Sequence, residues 1–207
     1  MITVNIKECK EALIQCFKNR LVPFVQSSPG CSKSSIAKQI ADEKKLKLID
    51  LRLSQCDPVD LSGFPKIENG IATWIPFDVF PLENTPIPNG YKGFLLLLDE
   101  FNSAPLSVQS SAYRLCLDRE VGQHKLHDKC FIMCAGNKTS DNAITNRLST
   151  AMQSRLIHLF LEVENKEWLD WARDNDIDYR VISYIEFKPN SLFNFNPTHN
   201  DCTFPTL

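Results

Sequence analysis

A lysine and a serine at the end of a loop of small residues are the first side chains in this sequence that could do chemistry. Residues 27–34 read Ser-Ser-Pro-Gly-Cys-Ser-Lys-Ser, between an apolar run at 21–25 and a segment with helical spacing. At a helix N-terminus, consecutive backbone N–H groups can converge on phosphate oxygens, a lysine can add positive charge, and the next hydroxyl can ligate Mg²⁺. Lys33 and Ser34 hold those two positions, so the loop predicts a site for nucleotide phosphates. A serine-rich turn with an exposed lysine is the alternative for this loop alone.

The loop departs from the full pattern G-x-x-x-x-G-K-[ST] at both outer glycines. Ser27 and Ser32 occupy those positions, and Gly30 is the glycine that remains. A serine has a Cβ, so backbone angles that suit glycine alone would cost it free energy. We therefore expect weakened but retained nucleotide affinity, which glycine at positions 27 and 32 should tighten. The predicted nucleotide-binding residues are Ser28, Pro29, Gly30, Cys31, Ser32, Lys33, Ser34 and Ser35.

Two adjacent carboxylates end the longest apolar run of the chain. Asp99 and Glu100 follow Phe-Leu-Leu-Leu-Leu at residues 94–98. A buried strand would deliver both side chains to the edge of a sheet, where Asp99 could coordinate Mg²⁺ and Glu100 could orient and activate a water. A solvated acidic turn is the ordinary alternative. A phosphate loop and an acidic strand end on successive strand–helix units together favour the nucleotide site.

Asn137 ends the next apolar run, at residues 131–136. If this strand and the acidic strand flanked the strand that leads into the phosphate loop, the Asn137 amide would face the terminal phosphate and the attacking water. A turn asparagine after a glycine is the alternative.

These residues need a framework that brings the strand ends together. Runs that are apolar throughout are typical of parallel strands covered on both faces, and their alternation with helical segments predicts a three-layer α/β architecture. Asn69-Gly70 predicts a hairpin within 65–74, and a smaller hairpin is expected around Gly122. Residues 190–207 are expected to be irregular. The expected strands cover 21–25, 47–53, 93–98, 130–135 and 156–163, and the expected helices cover 5–19, 33–44, 107–117, 165–174 and 177–187.

Composition narrows the classes of function. With 207 residues and a formal net charge of −2, the chain can form one sizeable domain with a small appendage, and it carries no overall basic field for nucleic acid. Its apolar runs are too short to cross a bilayer, and charged residues follow the N-terminus too soon for a signal peptide. Eight cysteines without a C-x-x-C pair or zinc spacing indicate free thiols in a reducing cytosol, and the scattered histidines indicate no metal site. Trp168 and Trp171, three apart on a helix, are expected to pack in the core.

The order of these motifs resembles AAA+ ATPases, and several details resemble the MoxR branch and related phage-encoded ATPases. Residues 98–105, Leu-Asp-Glu-Phe-Asn-Ser-Ala-Pro, followed by Gln109, are similar to that branch's Asp-Glu-hydrophobic-Asn-x-Ala-Pro-x-x-x-Gln stretch. The segment at 60–65, the hairpin after it and Trp74-Ile75-Pro76 are similar to its insert after the second strand. The small hairpin at 120–125 is similar to its insert before the sensor strand. The resemblance covers about residues 20 to 165.

The resemblance implies a three-layer P-loop NTPase fold of the AAA+ type and a role for each site residue. Lys33 and Ser34 would be the Walker A pair, Asp99 and Glu100 the Walker B pair, and Asn137 sensor 1, with ATP and Mg²⁺ as cofactors. Such proteins act as ring-shaped homo-oligomers that remodel a protein partner and complete each site with a neighbour's arginine. Arg155 is the expected finger, with Arg147 in reserve and a surface salt bridge as the alternative role.

The resemblance also implies a helical lid, so the chain divides into an α/β nucleotide-binding domain at 1–164 and a partial lid at 165–207. In that family the lid usually carries a sensor 2 arginine; because no arginine follows Arg180, we expect a shortened lid here. The expected location is the cytoplasm, which is the host cytoplasm if the protein is phage-encoded. A nucleotide-responsive binding module with little or no turnover is the main alternative, and a nucleic-acid motor is disfavoured by the acidic net charge. The partner, the ring size and the choice between ATP and GTP stay open.

Overall fold

Six parallel strands form the central sheet. The structure is a computed structural model that describes residues 2–141 and 145–193. The strands are β1 (Ile2–Val4), β2 (Pro23–Ser27), β3 (Leu46–Arg52), β4 (Phe64–Glu68), β5 (Ile71–Ile75), β6 (Gly93–Asp99), β7 (Glu120–Val121), β8 (His124–Lys125), β9 (Cys130–Asn137) and β10 (Ile157–Leu161). The six that form the sheet lie in the order β1-β10-β2-β9-β6-β3. β4–β5 and β7–β8 are antiparallel pairs outside it.

The helices lie mainly between successive strands of the sheet. They are α1 (Ile6–Lys18), α2 (Lys33–Lys44), α3 (Pro58–Ser62), α4 (Leu106–Leu117), α5 (Thr150–Gln153), α6 (Asn165–Asp174) and α7 (Tyr179–Phe187). α1 begins with a capping box in which Asn5 accepts from the Glu8 N–H at 2.9 Å and Glu8 accepts from the Asn5 N–H at 3.0 Å. None of the helices in the described residues has both the length and the apolar composition that a membrane crossing requires.

The sheet is buried on both faces, which explains its uniformly apolar strands. Leu95 and Leu97 of β6 pack in one core with residues of α1 and α2, and Leu96 and Leu98 pack in the other with residues of α4. All four leucines have no exposed surface. Because successive side chains of a strand point to opposite faces, a central strand covered by helices on both sides must be apolar at every position. The predicted three-layer α/β fold is confirmed.

Both expected hairpins are present, and their turns show why. Asn69 and Gly70, between β4 and β5, have φ angles of 52° and 78°. Two successive positive φ angles are what a tight two-residue hairpin turn requires, and asparagine followed by glycine tolerates them best. Gly122, between β7 and β8, also has a positive φ of 61°.

The strand order differs from the arrangement that the interpretation of Asn137 assumed around the phosphate loop. β2 lies between β10 and β9, and β6 is separated from β2 by β9. The acidic strand therefore does not flank the loop strand, and Asn137 lies between the two instead. Strand pairing is non-local, so motif order along the chain could not give this arrangement.

Among the strands and α-helices of the described residues, three short ones were also missed from the sequence. β1 has three residues, α3 has five and α5 has four. Segments of this length carry too few residues to show a periodicity. The cysteines at 9, 16, 31, 56, 116, 130 and 134 are free thiols, and Cys202 lies outside the described residues.

Candidate nucleotide-binding site

The phosphate loop joins the end of β2 to the start of α2. Gly30 and Ser32 both have left-handed backbone angles, with φ of 77° and 52°. Ser27, in contrast, is the last residue of β2, has no exposed surface and pairs with Asn137 in the sheet. The two serines that replace glycine therefore differ: position 32 adopts a glycine-type conformation, and position 27 is extended backbone that any residue can adopt.

Lys33 reaches back across the loop it follows. Its ammonium donates to Ser27 Oγ at 3.0 Å and to the Ser28 backbone oxygen at 3.3 Å. It also donates to Asn137 Oδ1 at 3.2 Å. Burial lowers the pKa of the Lys33 ammonium, while Cys31 and Asp99 act in the opposite direction. The loop thus holds a partly buried positive charge beside its backbone, where an anion would be stabilised.

Ser34 and Asp99 meet between α2 and the end of β6. Ser34 Oγ donates to Asp99 Oδ2 at 2.7 Å, and the other oxygen of Asp99 accepts from the Glu100 N–H at 2.8 Å. A hydroxyl and a carboxylate in contact are hard oxygen ligands of the kind that Mg²⁺ prefers. Within residues 2–141 and 145–193, no group of three or more His, Cys, Asp or Glu side chains could hold a metal. This donor set fits Mg²⁺, which usually keeps several waters and shares its few protein ligands with substrate phosphates.

Glu100 is held in an uncommon backbone conformation by its surroundings. Its φ is 55° and its ψ is 33°, in the left-handed region, which a residue with a Cβ enters at a cost. Its carboxylate accepts a hydrogen bond from Ser54, in the turn that follows β3. Residues in such strained backbone conformations cluster at functional sites, which supports a functional role for Glu100. Sequence reasoning missed Ser54 because only the pairing of β3 with β6 brings it to Glu100.

Apart from Ser28 and the candidate arginine fingers, the predicted site residues line one pocket of about 410 Å³ at the carboxyl edge of the sheet. Ser28 is not among the lining residues, although its backbone oxygen contacts Lys33. Arg52, the last residue of β3, also lines the pocket and was missed from the sequence, although it aligns with Asp99 in the β3–β6 register. The lining residues are Pro29, Gly30, Cys31, Ser32, Lys33, Ser34, Ser35, Arg52, Asp99, Glu100 and Asn137.

The two candidate arginine fingers lie elsewhere. Arg155 is exposed, donates to the Ala151 backbone oxygen at 3.0 Å and lies 5.7 Å from the centre of the Tyr113 ring. Arg147 is exposed in the segment that precedes α5. Neither is among the residues that line the described pocket. A residue that served a neighbouring subunit would lie outside its own pocket, so the assignment of Arg155 stays a prediction.

A second, mainly apolar pocket of about 330 Å³ adjoins the first, and Ser32 and Ser35 line both. Its other walls come from α1, α2 and α6 and include Ile6, Ile36, Trp168 and Trp171. Trp171 is 41% exposed, so the expectation that it packs in the core is wrong. Glu167 fixes this wall, because its carboxylate accepts from the Ile6 and Lys7 N–H groups at 3.0 and 2.6 Å.

Comparison with known proteins supports the fold. No protein-family model matches the chain, and no curated protein matches it in sequence. Among solved structures, the "putative ATPase" from Cytophaga hutchinsonii ATCC 33406 superposes with a TM-score of 0.57 at 20% identity. The match covers 92% of this chain and 52% of that protein, so the chain spans about half its length. The likeness supports the mixed α/β fold around a parallel sheet, which is consistent with the expected P-loop NTPase fold.

Proposed function

We propose that this chain binds ATP with Mg²⁺ and hydrolyses it. One observation carries the proposal: Lys33, Ser34, Asp99, Glu100 and Asn137, predicted separately from three parts of the sequence, line the same pocket. Their chemical types supply a cation, two magnesium ligands, a carboxylate for the attacking water and an amide, which is the set that phosphoryl transfer to water needs.

Each residue has a task in this proposal. The N–H groups of the loop and the Lys33 ammonium would hold the phosphates, replacing the contacts that Lys33 makes with Ser27 and Ser28. Ser34 and Asp99 would hold Mg²⁺, which when bound neutralises charge on the phosphate oxygens. Glu100 would orient the attacking water and accept its proton, and the Asn137 amide would face the terminal phosphate and that water.

The adjoining apolar pocket suits the base of the nucleotide. It continues the phosphate pocket through Ser32 and Ser35 and presents Trp171, whose exposed ring could stack on a purine. Both purines offer such a face, so ring stacking alone does not choose between ATP and GTP.

At a finer level, we propose a MoxR-like AAA+ ATPase of the kind that phages also encode, located in the cytoplasm. Residues 1–164 would form the nucleotide-binding domain, and α6 and α7 would belong to a partial lid at 165–207. The resemblance of the hairpins β4–β5 and β7–β8 to the inserts of that branch supports this proposal. Arg155 would complete the site of a neighbouring copy in a ring, and the ring would remodel a protein partner.

A second candidate is a nucleotide-responsive binding module with little or no turnover. Ser32 in a left-handed conformation and the engagement of Glu100 by Ser54 favour it. The first would weaken phosphate binding, and the second would occupy the carboxylate that the water needs.

Phosphate release with Glu100→Gln as the control separates the two. The enzyme requires turnover in the wild type that falls by about 10²-fold or more in Glu100→Gln while ATP still binds. ATP binding without turnover in the wild type would identify the module. No binding of ATP in either protein would refute both.

A further inference from the structure

Asn102 joins the two strand ends that carry Glu100 and Asn137. It lies in the turn Phe101–Ser103, directly after Glu100, and is 2% exposed. Its amide nitrogen donates to the backbone oxygen of Asn137 at 2.7 Å, and its amide oxygen accepts from the Asn137 N–H at 3.2 Å. One buried side chain therefore binds both backbone groups of Asn137, and we call this pair of hydrogen bonds the Asn102 clamp.

Gly136 makes room for this clamp. A Cβ on Gly136 would lie 2.3 Å from Asn102 Oδ1 and 2.9 Å from the Phe24 ring. Gly136 is not among the glycines with positive φ, so its backbone angle does not require glycine. The close approach of Asn102 accounts for the missing side chain at this position.

Asn102 is also fixed from its other side. Its backbone oxygen accepts from the Asn146 N–H at 2.6 Å. The Asn146 side chain donates to the Ala104 backbone oxygen at 2.8 Å, and Gln109 donates to the same oxygen at 3.0 Å. These bonds from Asn146 and Gln109 hold the turn in place, so the Asn102 side chain has a fixed position relative to Asn137.

We propose that Asn102 is a positioning residue for the hydrolysis proposed above, on which this inference rests. By binding both backbone groups of Asn137, it sets the distance between the Asn137 amide and the Glu100 carboxylate. These two groups must align the attacking water with the terminal phosphate, and a displacement of about 1 Å in such an arrangement can cost about 10² in rate. Asn102 itself does not line the nucleotide pocket, so its effect is exerted through Asn137.

A purely structural role is the competing explanation, because a buried asparagine that pairs two backbone groups stabilises any fold. The two explanations differ in what a broken clamp changes. A structural role predicts lower stability with a normal catalytic rate in the molecules that remain folded. A positioning role predicts a lower kcat at temperatures where the variant is fully folded.

Two variants break the clamp from opposite sides. Asn102→Asp keeps the shape and the acceptor for the Asn137 N–H, but it loses the donor to the Asn137 oxygen. Gly136→Ala removes no polar group, but its Cβ would displace the Asn102 side chain. Gly93→Ala is the matched control, because its Cβ would lie 2.4 Å from the Lys129 backbone oxygen at the opposite end of β6.

We expect Asn102→Asp and Gly136→Ala to lower kcat by about 10²-fold, with the KM for ATP changed by less than about three-fold. Gly93→Ala should lower the melting temperature and keep kcat. Faster hydrogen exchange of the Asn137 N–H in Gly136→Ala, but not in Gly93→Ala, would show that the clamp has opened. An unchanged kcat in Gly136→Ala would overturn the inference, and so would a loss of kcat in Gly93→Ala equal to that in Gly136→Ala. In either case, turnover by the wild type would still support the proposed function. A wild type without turnover would overturn the proposed function first, and the positioning role with it.

Discussion

At the scale of single residues, the two serines of the phosphate loop separate into one strained position and one relaxed position. Ser32 has a φ of 52°, and Ser27 is a buried strand residue whose hydroxyl accepts from Lys33. From the sequence, the same effect was predicted for glycine at both positions, because the motif has glycine at both. Only the backbone angles show that glycine would benefit one and harm the other.

Ser32→Gly should therefore raise the free energy of unfolding by up to about 1 kcal/mol, because it relieves a left-handed serine. It should also tighten ATP binding, since the loop would adopt its anion-binding shape without strain. Ser27→Gly should lower the free energy of unfolding by about 1 kcal/mol, because it removes a hydrogen-bond partner and adds a flexible residue to a buried strand. Chemical denaturation and calorimetric titration check both. Equal stabilisation by the two glycines would contradict the distinction.

Arg52 is a second residue-scale prediction. It lines the pocket beside Asp99, and within the described residues no acidic side chain forms an ion pair with it. If it contacts the terminal phosphate, Arg52→Ala should weaken ATP binding by about ten-fold and leave ADP binding nearly unchanged. Parallel titrations with the two nucleotides measure this ratio, with Arg20→Ala, an exposed arginine paired with Asp128, as the control. Equal weakening for ATP and ADP would assign Arg52 to general charge balance instead.

At the scale of elements, the helices and strands that carry the site followed from local patterns. α2 runs from Lys33 to Lys44, as its apolar spacing predicts, and β6 and β9 cover the predicted apolar runs. The order of the strands did not follow, because pairing joins segments far apart in the chain. For the same reason Ser54, Arg52 and Asn102 were not predicted as parts of the site. Each lies near the site only because its strand or turn is adjacent to another strand in the folded sheet, and the sequence does not show that adjacency.

The contact between α6 and α1 gives an element-scale prediction. The Glu167 carboxylate accepts two N–H groups of the first turn of α1, at 3.0 and 2.6 Å. Charged acceptors at a helix N-terminus stabilise it, so Glu167→Gln should lower the free energy of unfolding by about 1 kcal/mol and loosen α6. Hydrogen exchange of α1 and α6 checks the loosening. Glu11→Gln is the control, because Glu11 is exposed on α1 and its carboxylate makes no hydrogen bond or ion pair among the described residues. Unchanged exchange in α6 would show that other contacts hold this wall of the apolar pocket.

At the scale of the whole molecule, the position of Arg155 outside its own pocket makes assembly testable. If Arg155 serves a neighbour, turnover per chain should rise with protein concentration, and Arg155→Ala should lower the maximal rate by about 10³-fold while ATP still binds. An equal mixture of Arg155→Ala with Glu100→Gln should recover activity, because one kind of subunit keeps the finger and the other keeps the carboxylate. Phosphate release across a dilution series measures this. A rate per chain that is independent of concentration, with no recovery in the mixture, would remove Arg155 from the site.

Every role proposed for these residues requires that the pocket around Lys33 binds a nucleoside triphosphate. The direct measurement is calorimetric titration of ATP with Mg²⁺ into the wild type, into Lys33→Ala, and into Lys47→Ala, whose exposed lysine lies near the opposite end of β3. We expect binding by the wild type and by Lys47→Ala, and a loss of affinity of about 10- to 100-fold in Lys33→Ala, because a partly buried charge-assisted contact to phosphate is lost. Equal affinity in all three proteins, or no binding to the wild type, would contradict nucleotide binding by this pocket.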